Sequence, residues 1–170
     1  MKKRNVIYSI WALFSKTQNR QFVGLKRKVN KFLDGPYFPV HLTISDGFIG
    51  MEEELIKKMT MSLKKLNTFS IEVDNYGFKN TFFQSLYIKV KKTNELILRK
   101  KIIDGIFNIT TTNSYAPHIS LYYGEENNKK KKEIISKLPK LKKIIKIRNL
   151  CLALNDEKKL RWKIIETFLI

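Results

Sequence analysis

YAPHISLYYG, residues 115–124, holds one of the two histidines of this chain, and YFPVHLTIS, residues 37–45, holds the other. Each histidine is followed by an apolar residue and then by a hydroxyl: His41-Leu42-Thr43 and His118-Ile119-Ser120. Both stretches are dense in strand-forming residues and both leave a proline-containing loop. Residues i and i+2 of a strand share a face, so each histidine should lie on the side of its own hydroxyl. In HLTIS that face runs on to Ser45, and in HISLYY to Tyr122.

The rest of the chain can be read outward from these two strands. Before the first lie a candidate strand, VIYSIWALF at 6–14, and a helix at about 17–33, whose Phe22, Leu25 and Val29 recur at spacings of three and four. After it comes an amphipathic helix at 51–66, acidic early and basic late as the helix dipole prefers. Strands are expected at 69–78 and, past a turn at Lys79-Asn80, in FFQSLYIKV. A helix at 94–108 and the TTTNSYAP loop then lead to the second histidine strand. A lysine-rich helix at 129–138 stops at Pro139, and IIKIRNLCLAL and RWKIIETFLI close the chain as two strands. Each histidine strand thus follows a helix and a proline loop and precedes another helix, a duplication at the level of element order. The expected architecture is α+β and bilobal: one domain over 1–170, with two antiparallel sheets facing a central groove and helices packed outside.

The formal net charge is +19 in 170 residues. Such a charge attracts phosphates. It comes, however, from 28 Lys against only 6 Arg, whereas forked phosphate contacts favour Arg. Lysines gathered around the groove would indicate RNA as substrate; lysines spread over the surface would indicate a small nucleotide. The run Lys129–Lys132 reads as a solvated helix start. The single cysteine, Cys151, excludes an intramolecular disulfide and disfavours a cysteine metal site, which fits a reducing, cytoplasmic setting. MKKRNVIYSIWALF imitates a signal peptide but lacks its small-residue cleavage site, so it reads as the first strand. No apolar run reaches transmembrane length. A monomer without a membrane partner is expected.

Two imidazoles on one groove can divide acid–base work, one taking a proton while the other gives one. The hydroxyls of Thr43 and Ser120 can donate to non-bridging phosphate oxygens. This set suits hydrolysis at a phosphodiester. No Asp, Glu or Cys accompanies the histidines at metal-ligand spacing, so neither a metal nor another cofactor is expected. One histidine beside a hydroxyl on a strand is usually structural; two in matched contexts, with no third in the chain, favour a shared function.

The doubled H-x-[ST] pattern resembles the 2H phosphoesterase superfamily, and in particular its plant-type cyclic phosphodiesterases. YSIWAL, PYFPVHLTIS, NTFFQS, TTTNSYAPHISLYYG, RNLCLAL and RWKIIETF carry the resemblance and come in the family's order. It implies hydrolysis of cyclic phosphates, such as ADP-ribose 1″,2″-cyclic phosphate and nucleoside 2′,3′-cyclic phosphates. It implies His41 and His118 as the catalytic pair, His118 as base and His41 as acid, with Thr43, Ser120 and Tyr123 on the phosphate. Trp11 matches a tryptophan that lines the family's pocket. Phe83 and Tyr122 are further pocket candidates; simple alternation points Tyr122, not Tyr123, toward His118, unless a bulge intervenes. Processing of RNA 2′,3′-cyclic ends or 2′-5′ linkages is the alternative function. The chain departs from the pattern at Val40, where proline is common, and in its cysteine content. The Thr110–Asn113 loop is a candidate lid.

Overall fold

The computed structural model describes residues 7–110 and 114–170; Thr111–Asn113 of the expected lid lie outside the described residues. Eight strands occur among them: β1 (Ile7–Leu13), β2 (Leu42–Phe48), β3 (Phe69–Phe78), β4 (Leu86–Val90), β5 (His118–Tyr122), β6 (Lys142–Ile147), β7 (Asn149–Asp156) and β8 (Arg161–Leu169). The helices are α1 (Lys16–Asn30), α2 (Glu52–Ser62), α3 (Asn94–Phe107) and α4 (Asn128–Ser136). No described helix is long and apolar enough to cross a membrane.

The helices begin where their capping chemistry lies. The Ser15 hydroxyl accepts from the Gln18 amide while the Gln18 side chain reaches back, forming a capping box for α1. Thr93 and Asn127 cap α3 and α4 in the same sense. The apolar stripe of α1, Phe22, Leu25 and Val29, is buried in the main core with Leu96, Ile103 and Phe107 of α3.

The strands follow the order β6-β3-β4-β5-β2-β1-β7-β8, with every pairing antiparallel. The α+β class and the helices packed against two four-stranded halves are as expected. The relation between the histidine strands differs from the expectation. They do not face each other across two separate sheets. They are neighbours, and Leu42 opposite Ile119 joins the halves into one sheet.

IIKIRNLCLAL, expected as one strand, is two. Arg148 alone separates β6 from β7, yet these strands take the first and seventh places in the sheet. Two peptide steps span little more than about 7 Å, so the sheet curls until its halves approach each other at Arg148. FFQSLYIKV is also shorter than expected: only Leu86–Val90 is strand, and Thr81–Ser85 form turns. Their aromatic side chains belong to the rim of a cavity instead of the ladder.

Alternation along β1 and β7 separates two environments. Ile10, Ala12, Leu150 and Leu152 enter the core beneath the helices, while Trp11, Cys151 and Ala153 pack together on the opposite face. Both faces are covered, which explains why these strands read as nearly continuous apolar runs.

Ile119 is fully buried and is registered with both Leu42 and Ile88. Ile119→Ala is expected to lower the unfolding free energy by about 2–5 kcal/mol, measured by urea denaturation. A loss under about 1 kcal/mol would show that the junction between the halves tolerates a void.

Candidate active site

His41 directly precedes β2 and His118 begins β5, so the pairing of Leu42 with Ile119 sets the two imidazoles side by side. Both line one cavity of about 490 Å³. Their rings are held in the same way. The Nδ1 of His41 lies 2.7 Å from the Pro39 carbonyl, and that of His118 lies 2.8 Å from the Ala116 carbonyl. A carbonyl oxygen only accepts, so in each ring Nδ1–H is the donor and Nε2 is left to exchange protons. The repeated element is a histidine tied to the carbonyl two residues before it.

Burial is the largest influence on both rings. His41 lies under Trp11, with ring centroids 3.6 Å apart and planes 10° apart. Burial, with added repulsion from His118 and Lys26, lowers its pKa from 6.5 to about 3. His118 is only partly buried and meets the Tyr87 ring edge-on at 5.3 Å. Its pKa is also lowered, by burial and then by Lys79. Both shifts favour the uncharged imidazole near neutrality, since desolvation disfavours the cationic form.

Thr43, Trp11, Phe83 and Tyr123 line this cavity with the histidines. Ser120 and Tyr122 are placed differently. Ser120 is buried, its hydroxyl donates weakly to the Phe83 carbonyl at 3.4 Å, and it lies in hydrogen-bonding reach of the Tyr123 hydroxyl. Tyr122 packs into the main core and its ring lies against Gly35 and Gly124, so the expectation that it lines the pocket is corrected.

The cause is a bulge. Leu86 is registered with Tyr122 and Tyr87 with Ser120, so Leu121 is an extra residue on β5. The alternation changes by one there: Leu121 and Tyr122 both enter the core, and Tyr123 turns to the cavity. A second bulge breaks the expected face of β2. Ile10 is opposite Ser45 and Trp11 opposite Thr43, leaving Ile44 extra. Ser45 therefore turns to the helices and donates to Asp104 at 2.5 Å, instead of sharing the face of His41 and Thr43. Asp46 takes its place in the cavity.

Several lining residues were not foreseen. Trp162 of β8 closes the aromatic wall, 5.3 Å from Tyr123 and 6.4 Å from Phe83 between ring centroids. It is one of only two tryptophans, and RWKIIETF was already a marked segment; that was its signal. Phe38 stacks on Tyr123 at 3.8 Å. Asp46 and Glu157 have no such signal, because a bulge and a turn bring them in; Asn155 comes in on the Cys151 and Ala153 face of β7. Lys100 is the one lysine on the lining among the described residues, and it pairs with Asp104 at 3.0 Å. Tyr115 lines the cavity too, donating to the Thr43 carbonyl at 2.9 Å, with its own pKa raised by burial. The arrangement offers two uncharged proton carriers, hydroxyl donors and an aromatic wall on which a flat ring can stack.

The family described as "Cyclic phosphodiesterase-like protein" matches residues 4–170. Cyclic phosphodiesterase of Arabidopsis thaliana is 28% identical over 126 residues, 74% of this chain and 70% of that protein. Among solved structures, LigT of E. coli complexed with 3′-AMP superposes with a TM-score of 0.66 at 11% identity, over 97% of this chain and 98% of that one. A Thermus thermophilus protein superposes with a TM-score of 0.64 at 13% identity, over 96% of this chain and 97% of that one.

The depressed His41 pKa has a consequence for stability. Between pH 6.5 and about 3 the unfolded chain binds a proton at this position that the folded chain excludes. Stability contributed by a neutral His41 is therefore complete above pH 6.5 and falls as pH drops through that window, by about 1.4 kcal/mol per pH unit. The unfolding free energy of the wild type relative to His41→Leu, measured from about pH 7 to about pH 4, is expected to shift against the wild type. A constant difference would show that the folded state accommodates the imidazolium.

Proposed function

Since the chain belongs to the cyclic phosphodiesterase-like family, a family of enzymes, we propose that it hydrolyses the cyclic phosphates of small nucleotides with His41 and His118 as its acid–base pair. The observation that carries this reading is the matched tethering of the two imidazoles, which leaves both Nε2 atoms available in one cavity. Nucleoside 2′,3′-cyclic phosphates and ADP-ribose 1″,2″-cyclic phosphate are the proposed substrates.

The chemistry needs one proton removed and one supplied. His118, partly open and uncharged, takes a proton from water as its oxygen bonds to phosphorus. His41 gives its Nε2 proton to the departing ribose oxygen as the ring P–O bond breaks. Exchange with solvent then resets the pair. The Thr43 and Tyr123 hydroxyls donate to the non-bridging oxygens. Ser120 joins them only when its hydroxyl leaves the Phe83 carbonyl; in its present position it supports Tyr123. No step calls on a metal or cofactor. The nucleobase stacks on the aromatic wall of Trp11, Phe83 and Trp162.

Burial keeps His41 uncharged, so the substrate must create the acid. An anion between the rings favours an imidazolium and raises its pKa. Phosphate binding is therefore expected to take up a proton near neutrality. Calorimetry in buffers of different ionisation enthalpy reads this directly, and binding without uptake would remove His41 as the acid.

The distribution of charge supports a small substrate over RNA. Among the described residues, Lys100, already paired, and the carboxylates of Asp46 and Glu157 line the cavity. Lys79 bonds Gln84 of the lining at 2.8 Å, and the remaining exposed lysines are dispersed over helices, strands and loops from Lys16 to Lys163.

Turnover of a nucleoside 2′,3′-cyclic phosphate in EDTA is the direct test. Wild-type hydrolysis is expected to persist, and to fall by about 10²–10⁴-fold in both His41→Ala and His118→Ala. Loss in EDTA restored by a divalent ion, or full activity in either variant, would refute the two-histidine mechanism.

A further inference from the structure

A second cavity, of about 650 Å³, lies behind the segment that carries His41. α1 forms one wall and residues 37–40 another, with Leu13, Phe14 and Ile164 completing it. Its chemistry differs from that of the catalytic cavity. Lys16, Lys26 and Arg27 line it, and among the described residues no Asp or Glu does.

Lys26 is the unusual member. It is 6% exposed, so its ammonium group is withdrawn from water. Its Nζ donates to the Phe38 carbonyl at 2.5 Å and sits 3.2 Å from the centroid of the Phe38 ring. No described carboxylate pairs with it. Burial, with nothing to offset it, lowers its pKa to about 8. A buried cation is costly without a counter-charge, and the exposed Arg27, next in sequence, stands on the same lining. An anion between them would give Lys26 the counter-charge it lacks. Leu13, Phe14, Val23 and Val40 on the same walls can accept a flat apolar group.

We propose that this cavity is a binding site for a phosphate monoester carried on a flat apolar group, with Lys26 and Arg27 holding the phosphate. A dianion matches two cations better than a carboxylate would. The site is separate from the catalytic cavity but shares a wall with it: Phe38 offers its carbonyl to Lys26 while its ring stacks on Tyr123, and Pro39 lines the second cavity while its carbonyl holds His41. An occupant would touch the histidine segment from behind. None of this depends on the proposed reaction.

Phenyl phosphate is a suitable probe, titrated calorimetrically into a Thr43→Ala/His118→Ala variant so that the catalytic cavity contributes little. One molecule per chain is expected to bind, about 10-fold more tightly than inorganic phosphate, which leaves the apolar walls unused. Benzoate, with a single charge, is expected to bind more weakly than phenyl phosphate. Adding Lys26→Met should weaken phenyl phosphate by about 10-fold or more. Adding Arg27→Ala, at an exposed position where folding is not at stake, should do the same. Absence of binding to the Thr43→Ala/His118→Ala variant, or binding unchanged by Arg27→Ala, would overturn the proposal whatever becomes of Lys26→Met.

Discussion

The two halves of the sheet meet at one registered pair, Leu42 against Ile119, and the arrangement of the whole site rests on that junction. One residue before Leu42 is His41, and one before Ile119 is His118. A sheet joined at any other register would separate the imidazoles or send one to the opposite face, because a slip of one residue reverses every side chain. Ile119 and Leu42 are fully buried under the helices. The hydrophobic core therefore fixes not only stability but also the pairing of the two proton carriers. The backbone carbonyls of Pro39 and Ala116 do the rest by fixing the tautomer of each ring.

Much of this was legible in the sequence because it depends on local patterns. Helical spacing, charge at helix ends and turn residues located the four described helices to within a few residues. The doubled H-x-[ST] context pointed to His41, Thr43, His118 and Ser120; the first three line one cavity, and Ser120 is buried beside it. What could not be read was anything that depends on a break in period. Alternation in HLTIS fails at Ile44 and in HISLYY at Leu121, and each failure exchanges a neighbour: Ser45 for Asp46, and Tyr122 for Tyr123. A bulge is a property of two strands together, so one strand's sequence does not display it. The split at Arg148 was hidden for the same reason. IIKIRNLCLAL is continuous as a run of residues but belongs to two ladders.

Burial lowers both histidine pKa values, and Lys26 acts on His41 and Lys79 on His118 in the same direction. Among the described residues the carboxylates of Asp46 and Glu157 also line the cavity. On the reading proposed above, an anion would meet hydroxyl donors and favour a cationic ring only on arrival, while a flat group would lie on the aromatic wall.

The ribbon formed by β6 and β7 also decides when this fold can be finished. Without residues 142–169 the sheet would consist of β3-β4-β5-β2-β1, with β3 and β1 as its two outer strands. Both would present unpaired amides and carbonyls along their length. Because Arg148 alone lies between β6 and β7, a single passage of chain covers one outer strand and then immediately the other. A ribosome emits that passage only after every strand it covers. Until then the nascent protein carries two open templates for pairing with a neighbouring chain, and a message cut short near Pro139 would leave them open permanently.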